Sequence, residues 1–133
     1  MTENNILVDI LSQRFDGVTS LFIKNWKIEI DIGILSHEQG VLQPVSFDIE
    51  VHISGSSSPE RDEIDAVVDY DYLRTLVNQT LTSRRFNLLE SLASEILEGC
   101  LHPPEVIGAS VSLSKLAVID GEGEIGCSLS RIK

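Results

Sequence analysis

Two stretches decide the fold: residues 26–34 read WKIEIDIGI and residues 45–53 read VSFDIEVHI. Apolar and polar residues alternate in each, which is typical of a β-strand with one face toward a core and the other toward water. The polar stretch 36–40 predicts a turn between them, and Pro44 opens the second strand, where a missing N–H donor is tolerated. We therefore expect an antiparallel pair whose apolar residues, Ile34 included, face the core.

The hydrophobic period changes to that of helices in the middle of the chain. Apolar residues recur at helical spacing in 73–81 and again in 89–101, just before two prolines. Alternation returns in 109–117 and in 125–129. The order strand, strand, helix, helix, strand, strand predicts an α+β fold, in which two helices cover one face of a four-stranded antiparallel sheet. A weakly helical or irregular arm is expected at 6–15.

The two edges of such a sheet are unpaired, and unpaired edges favour pairing between chains. Assembly of several copies into a ring is therefore one expectation. The alternative is a monomeric α+β sandwich whose edges are protected by charge.

The composition indicates a single acidic domain. The 133 residues carry 10 Lys and Arg against 21 Asp and Glu, a net charge of −11, which argues against a nucleic-acid partner. No apolar run approaches membrane-spanning length and the N-terminus lacks signal-peptide features, so we expect no membrane partner and a cytoplasmic location. Cys100 and Cys127 are too few and too far apart for a disulfide framework or a zinc site, and we expect both to be buried thiols.

Lys115 is the most unusual candidate for chemistry, because it shares the core-facing phase of the third strand with Val111 and Leu113. Burial disfavours a charged amine, which would prepare it to exchange protons near neutral pH. Equally, the strand can end at this residue, so that the ammonium reaches water or pairs with a carboxylate. The residue pattern alone leaves both interpretations open.

Four further residues are weaker candidates. Glu90 follows Asn87 by three positions, which is typical of a capping box, although a carboxylate at a helix start can also clamp an amidine-like edge of a ligand. Glu38 lies in the predicted turn, where acidic residues are usually only solvated. Tyr70 and Tyr72 precede the first helix, and we expect one of them to pack and the other to present its phenol.

Six motifs, taken in order, resemble those of bacterial dihydroneopterin aldolases. They are FIKN at 22–25, IGILSHE at 32–38, QPV at 43–45, VDY at 68–70, RFNLLE at 85–90 and LSK at 113–115. The resemblance covers about Leu21 to Lys133, so we divide the chain into an N-terminal arm, 1–20, and an aldolase-like domain, 21–133.

The resemblance implies a fold, an activity and an assembly. The family has the tunnelling fold, in which ββααββ subunits join edge to edge into a barrel ring, often a homo-octamer of two stacked tetramers. Its members cleave 7,8-dihydroneopterin into 6-hydroxymethyl-7,8-dihydropterin and glycolaldehyde in folate synthesis. This lyase reaction uses no metal, Schiff base or cofactor, because the ring imine of the pterin accepts the electrons of the breaking bond.

The resemblance also implies residue roles. Glu90 would anchor the pterin through its 2-amino group and the adjacent ring N–H, and Lys115 would transfer protons. Glu38 would bind the hydroxylated side chain and position lysine or water, while Tyr70, from a neighbouring subunit, would assist protonation of the enol-like intermediate. Leu89, Val68 and Val67 would complete the substrate-binding pocket.

Two alternatives stay open. A relative within the same family epimerises the side chain of dihydroneopterin triphosphate, and Arg84-Arg85 is the only adjacent basic pair that could serve a triphosphate in this chain. The other alternative is a pterin-binding ring protein without catalysis, which would need Glu90 but not a buried Lys115.

Overall fold

The computed structural model describes residues 5–55, 60–64, 67–117 and 123–133 of the chain, so the first four residues of the predicted arm lie outside it. Four antiparallel strands form one sheet in the order β1-β2-β3-β4. This confirms the predicted α+β architecture of a four-stranded antiparallel sheet with two helices on one face. The elements are α1 (Asn5–Ser12), β1 (Val18–Asp31), β2 (Leu42–Ser54), α2 (Tyr72–Ser83), α3 (Leu89–Cys100), β3 (Val106–Lys115) and β4 (Ile125–Ile132).

The alternating residues of β2 divide as the sequence predicts. Val45, Phe47, Ile49 and Val51 are all buried beneath the helices, while the residues between them, such as Ser46, point to the opposite face. The helices complete the core with one apolar stripe each, which is the pattern of amphipathic helices on a sheet. The stripe of α2 includes Leu73 and Val77, and that of α3 includes Leu92, Ala93, Ile96 and Cys100.

β1 begins eight residues earlier than the alternation at Trp26 indicated, and it ends at Asp31 rather than at Ile34. Its early part is separated from the alternating part by an irregularity between Ile23 and Trp26, where Asn25 has a positive φ of 57°. Gly33 turns the chain away from the strand with a φ of 131°, which an L side chain rarely adopts. The prediction that Ile34 faces the core is therefore wrong, and its side chain is 60% exposed.

α1 packs on the sheet face that α2 and α3 leave uncovered. Along β3, Ala109 and Val111 point into the core, so Gly108 belongs to the opposite face. A Cβ built on Gly108 would lie 3.3 Å from Cδ1 of Leu11, whose own side chain is fully buried. The arm therefore contains a helix that is fixed to the sheet by Leu11. None of the helices in the described ranges is long and apolar enough to cross a membrane.

Candidate active site

An ion pair between Glu38 and Lys115 lies where the end of β3 meets the connection between β1 and β2. Lys115 is the last residue of β3 and pairs with Val45 of β2, while Glu38 ends the short 3₁₀ helix Ser36–Glu38. Lys115 Nζ donates a hydrogen bond of 2.7 Å to Glu38 Oε2. The two side chains are 18% and 7% exposed. Lys115 therefore pairs with a carboxylate at a largely buried position, and the expectation that Glu38 is merely solvated is wrong.

Two further donors fix the Glu38 carboxylate. Gln43 Nε2 donates to Oε2 over 3.1 Å, and the backbone N–H of Leu35 donates to Oε1 over 3.3 Å. The hydrogen bond from Lys115 is the main cause that lowers the pKa of Glu38 to about 2, against the opposing effect of burial. At neutral pH the site therefore holds an ionised carboxylate beside the lysine.

Gly33 leaves the space that this carboxylate occupies. A Cβ on Gly33 would lie 2.3 Å from Cδ and from Oε1 of Glu38, which is closer than such atoms can approach. Gln43 supports the same turn from the other side, because its Nε2 also donates to the carbonyl of Ile32 over 2.7 Å. Glu38 is thus held in one orientation by the shape of the turn as well as by charge.

Lys115 opens onto a cleft of about 210 Å³ between the start of α3 and the start of β4. Its walls are mostly apolar, as is common for small-molecule sites. The lining residues are Ile34, Asn87, Leu88, Leu89, Glu90, Lys115, Ile125, Gly126 and Cys127. The cleft therefore brings together the predicted residues Lys115, Glu90 and Leu89, with Glu38 directly behind Lys115.

Glu90 is the second residue of α3, and its exposed side chain borders the cleft. The predicted capping box is wrong, because the N-cap residue is Leu88 and no side chain caps the helix. The side chain of Asn87 instead accepts a hydrogen bond of 2.8 Å from Arg85 Nη1. Glu90 is thus not engaged in a cap and lies beside the backbone N–H groups of the helix start, where a carboxylate is favoured.

Tyr70, Val67 and Val68 do not lie in this cleft. They precede α2, and Tyr70 and Val67 are 51% and 46% exposed while Val68 is half-buried. Tyr72, the other tyrosine, is half-buried and donates a hydrogen bond of 3.0 Å to the carbonyl of Cys100. One tyrosine therefore packs and the other presents its phenol, as the sequence analysis expects.

The two cysteines occupy different surroundings. Cys100 is buried in the core, which confirms its prediction and raises the pKa of its thiol to about 12. Cys127 is only half-buried and lines the cleft, so its prediction as a buried thiol is wrong. Burial and the nearby carboxylate of Glu90 both raise the pKa of the Cys127 thiol.

Two residues that hold the Glu38 turn were not assigned that role from the sequence. Gln43 and Arg85 are polar residues within the resembling motifs, and both hold the turn that carries Glu38. Their signal in the sequence is slight: Gln43 adjoins the strand-opening Pro44, and Arg85 belongs to the only adjacent pair of arginines. Within the described ranges, no three His, Cys, Asp or Glu side chains form a group that could hold a metal ion.

Comparisons with known proteins agree on one family. Residues 21–130 match the family model of the FolB dihydroneopterin aldolases. The chain is 24% identical over 108 residues to the dihydroneopterin triphosphate 2′-epimerase of Escherichia coli K12, which is 81% of this chain and 90% of that protein.

Solved structures show the same fold. A dihydroneopterin aldolase from Burkholderia thailendensis, bound to guanine, superposes with a TM-score of 0.81 at 24% identity and covers 93% of this chain and 98% of its own. The Escherichia coli dihydroneopterin aldolase in complex with neopterin gives a TM-score of 0.71 at 24% identity, covering 85% of this chain and 98% of its own. The fold described above is therefore the tunnelling fold of these proteins.

Proposed function

The chain belongs to the dihydroneopterin aldolase family, and we propose that it is itself an aldolase that cleaves 7,8-dihydroneopterin. The products are 6-hydroxymethyl-7,8-dihydropterin and glycolaldehyde, and the reaction is a step of folate biosynthesis. Family membership supports an enzyme that acts on dihydroneopterin, and the specific lyase activity is our proposal.

The buried ion pair beside Glu90 is the observation that carries this proposal. A protein that only binds a pterin needs a carboxylate for the 2-amino group and the ring N–H, which is a charge-assisted clamp of the kind Glu90 offers. It has no need of a lysine that is 18% exposed and paired to a 7% exposed carboxylate at the same cleft. A charged pair of this kind costs desolvation, and proton transfer is a function that uses it.

The reaction requires only proton movements from the protein. Removal of the proton from the 2′-hydroxyl lets its oxygen form the carbonyl of glycolaldehyde while the C1′–C2′ bond breaks. The bonding electrons pass through C1′ and C6 to the ring nitrogen N5, which takes up a proton. The resulting enol-like intermediate then gains a proton at C1′ and loses the one at N5, which restores the imine and yields the hydroxymethyl product.

We assign the roles by position within the family motifs. Glu90 anchors the ring with Leu89 beside it, Lys115 moves the protons on the 2′-hydroxyl and N5, directly or through water, and Glu38 binds the side-chain hydroxyls and orients Lys115. Tyr70, Val68 and Val67 lie outside the cleft of their own chain, and we propose that they complete the site of a neighbouring subunit. No metal or cofactor takes part in this proposal.

The assembly that this assignment needs is a homo-oligomer, a tetrameric ring or two such rings as an octamer, with each site at a subunit interface. β1 and β4 are the outer strands of the described sheet and would pair between subunits. We further propose that the domain comprises 21–133, that 1–20 is an added arm, and that the protein works in the cytoplasm.

Epimerisation of dihydroneopterin triphosphate is the second candidate, because the Escherichia coli K12 relative described above is an epimerase. A triphosphate needs several cations at its site. Among the cleft-lining residues that the structure describes, Lys115 is the only cation, and it is paired with Glu38. Arg84 pairs with Glu95, and Arg85 pairs with Asp31. The charges of the cleft therefore favour the unphosphorylated substrate and the aldolase.

Two substitutions separate catalysis from binding. Lys115→Ala is expected to lower kcat for 7,8-dihydroneopterin by about a hundredfold or more, because the proton-transfer group is lost, while affinity for guanine as a ring-only probe stays near wild type. Glu90→Ala is expected to abolish guanine binding and turnover together. Arg14→Ala, at an exposed basic residue of the arm outside the sheet, is the control and keeps wild-type values.

Turnover and calorimetric binding of all four proteins would decide the question. A Glu90→Ala variant with unchanged guanine affinity would show that the anchor assignment is wrong. Wild-type protein that binds guanine but turns over neither dihydroneopterin nor its triphosphate would replace the aldolase by a pterin-binding ring protein.

A further inference from the structure

Arg85 lies outside the cleft lining but bonds to both segments that carry the candidate acids. Its Nη2 donates to the carbonyl of Gly33 over 2.9 Å, and Gly33 begins the turn that bears Glu38. Its Nη1 donates to Asn87 Oδ1 over 2.8 Å, and Asn87 lies in the segment that leads to Glu90. One guanidinium therefore joins the Glu38 turn to the start of α3.

Asp31 fixes this guanidinium and closes the same turn. Asp31 Oδ1 accepts from Arg85 Nε over 3.0 Å and from the backbone N–H of Gly40 over 3.1 Å. Gly40 follows the 3₁₀ helix, so the two ends of the Glu38 turn meet at one carboxylate oxygen. The side chains of Asp31 and Arg85 are about one third exposed, at 34% and 32%, and neither lines the cleft that holds Lys115 and Glu90.

The candidate site has two halves: Glu90 at the start of α3, and the Glu38–Lys115 pair. Arg85 bonds to the two segments that carry Glu90 and Glu38. The ring of a bound pterin would meet Glu90, and its side chain would meet the Glu38–Lys115 pair. We propose that Arg85, held by Asp31, is a positioning residue that sets the spacing between Glu90 and the Glu38–Lys115 pair. This inference rests on the proposed function, since it concerns a substrate that spans both halves.

The fork shape of arginine explains why this residue suits the position. Three different nitrogens of Arg85 donate in one plane to Asp31, Gly33 and Asn87. Lysine carries the same charge on a single flexible nitrogen and cannot hold three separate acceptors in fixed directions. Arg85→Lys therefore keeps the charge and removes the geometry, while Arg85→Gln removes both.

Both variants are to be compared with Arg14→Gln, which removes an exposed arginine of the arm, outside the sheet. If Arg85 is a positioning residue, kcat/KM for 7,8-dihydroneopterin, per folded molecule, falls about tenfold to a hundredfold in both Arg85 variants. The reason is that a catalytic group displaced by about an ångström reacts that much more slowly. Guanine affinity stays within about threefold, since a ring-only probe contacts one half of the site. Arg14→Gln keeps wild-type values in both measurements.

A second readout does not depend on turnover. Because its pKa is about 2, the Glu38 carboxyl, followed by carbon NMR in the intact protein, is expected to remain ionised down to about pH 3 in wild type and in Arg14→Gln. In both Arg85 variants it is expected to titrate at higher pH, because the turn no longer holds it against Lys115.

The outcomes distinguish this inference from the proposed function. Wild-type turnover and an unchanged Glu38 titration in both Arg85 variants would overturn the positioning role. Equal losses of guanine binding and of turnover would also overturn it, because they indicate a general loss of structure. If wild-type protein turns over nothing but the Glu38 titration moves in both Arg85 variants, the proposed function fails while the control of Glu38 by Arg85 stands.

Discussion

A single oxygen of Glu38, Oε2, accepts hydrogen bonds from both Lys115 and Gln43. The sequence could indicate Lys115 as unusual, because a lysine in the inward phase of a strand conflicts with its neighbours. It could not indicate from local pattern that Glu38 is buried, because its partner lies 77 positions later in the chain. Burial of a turn residue is a tertiary effect, and only the family resemblance had placed Glu38 in a site.

The pH dependence of the unfolding free energy below pH 6 tests the charge state of Glu38. Its pKa is lowered from 4.5 to about 2 in the folded protein, so it stabilises the fold above pH 4.5 and loses that contribution as the pH falls toward 2. Discounted for solvent screening, this contribution amounts to about 1–3 kcal/mol. Urea unfolding from pH 6 to pH 2 is expected to show a steeper loss for wild type than for Glu38→Gln.

Glu29→Gln is the control for this measurement, because Glu29 is an exposed glutamate of β1. It is expected to keep the wild-type pH dependence. An identical pH dependence in Glu38→Gln and wild type would show that the Glu38–Lys115 pair contributes nothing to stability in this range.

Gly33→Ala tests the space that the Glu38 carboxylate needs. The new Cβ would lie 2.3 Å from the carboxyl group at a φ of 131°, so either Glu38 or the turn must move. We expect a loss of about 1–3 kcal/mol in unfolding free energy from the backbone strain. We also expect kcat/KM to fall by about tenfold or more, because the displaced carboxylate no longer orients Lys115.

Gly55→Ala is the matched control, since Gly55 also has a positive φ, 106°, but no atom of the described residues lies within 4 Å of the position that a Cβ would take there. The Gly55→Ala variant therefore has the same kind of backbone strain as Gly33→Ala, but its new Cβ does not collide with Glu38. Equal kcat/KM losses in the two variants, measured per folded molecule, would contradict the role of Gly33 in shaping the site.

The secondary-structure elements with a regular hydrophobic period were the ones that the sequence could predict. The alternation in β2 and the helical stripes of α2 and α3 indicated the correct type and the correct inward face, because burial on one side imposes the period. The end of β1 was missed because Gly33 changes the backbone direction within an unbroken apolar alternation. The start of α3 at Leu89 agrees with the predicted stripe, but the capping box was wrong: the N-cap is Leu88, and Arg85 engages the side chain of Asn87.

α1 provides a prediction for the arm. Leu11 is fully buried against the sheet face at Gly108, whereas Ile6 on the same helix is 70% exposed. Leu11→Ala is expected to cost about 2–5 kcal/mol in unfolding free energy, as for other buried leucines. Ile6→Ala is expected to change it by less than about 0.5 kcal/mol. Similar values for the two variants in chemical denaturation would show that α1 does not contribute to the folded core.

For the whole molecule, the order of the hydrophobic periods was sufficient to predict the fold class. A single chain brings Lys115, Glu90 and Leu89 to one cleft, and Glu38 is bonded to Lys115 behind it. Tyr70, Val67 and Val68 lie elsewhere in the same chain. The sequence pattern of one chain carries no direct information on contacts between copies, so their role in a neighbouring site stays a prediction. The net charge of −11 and the single, paired cation of the described cleft both favour an uncharged substrate side chain.

Product analysis of the purified wild-type protein tests the proposed aldolase most directly. The protein is incubated with 7,8-dihydroneopterin and, in parallel, with its triphosphate, and the pterins and glycolaldehyde are identified by chromatography. We predict 6-hydroxymethyl-7,8-dihydropterin and glycolaldehyde in equal amounts from the unphosphorylated substrate. A stereoisomer formed from the triphosphate alone, with no glycolaldehyde from either substrate, would contradict the aldolase and assign the protein as an epimerase.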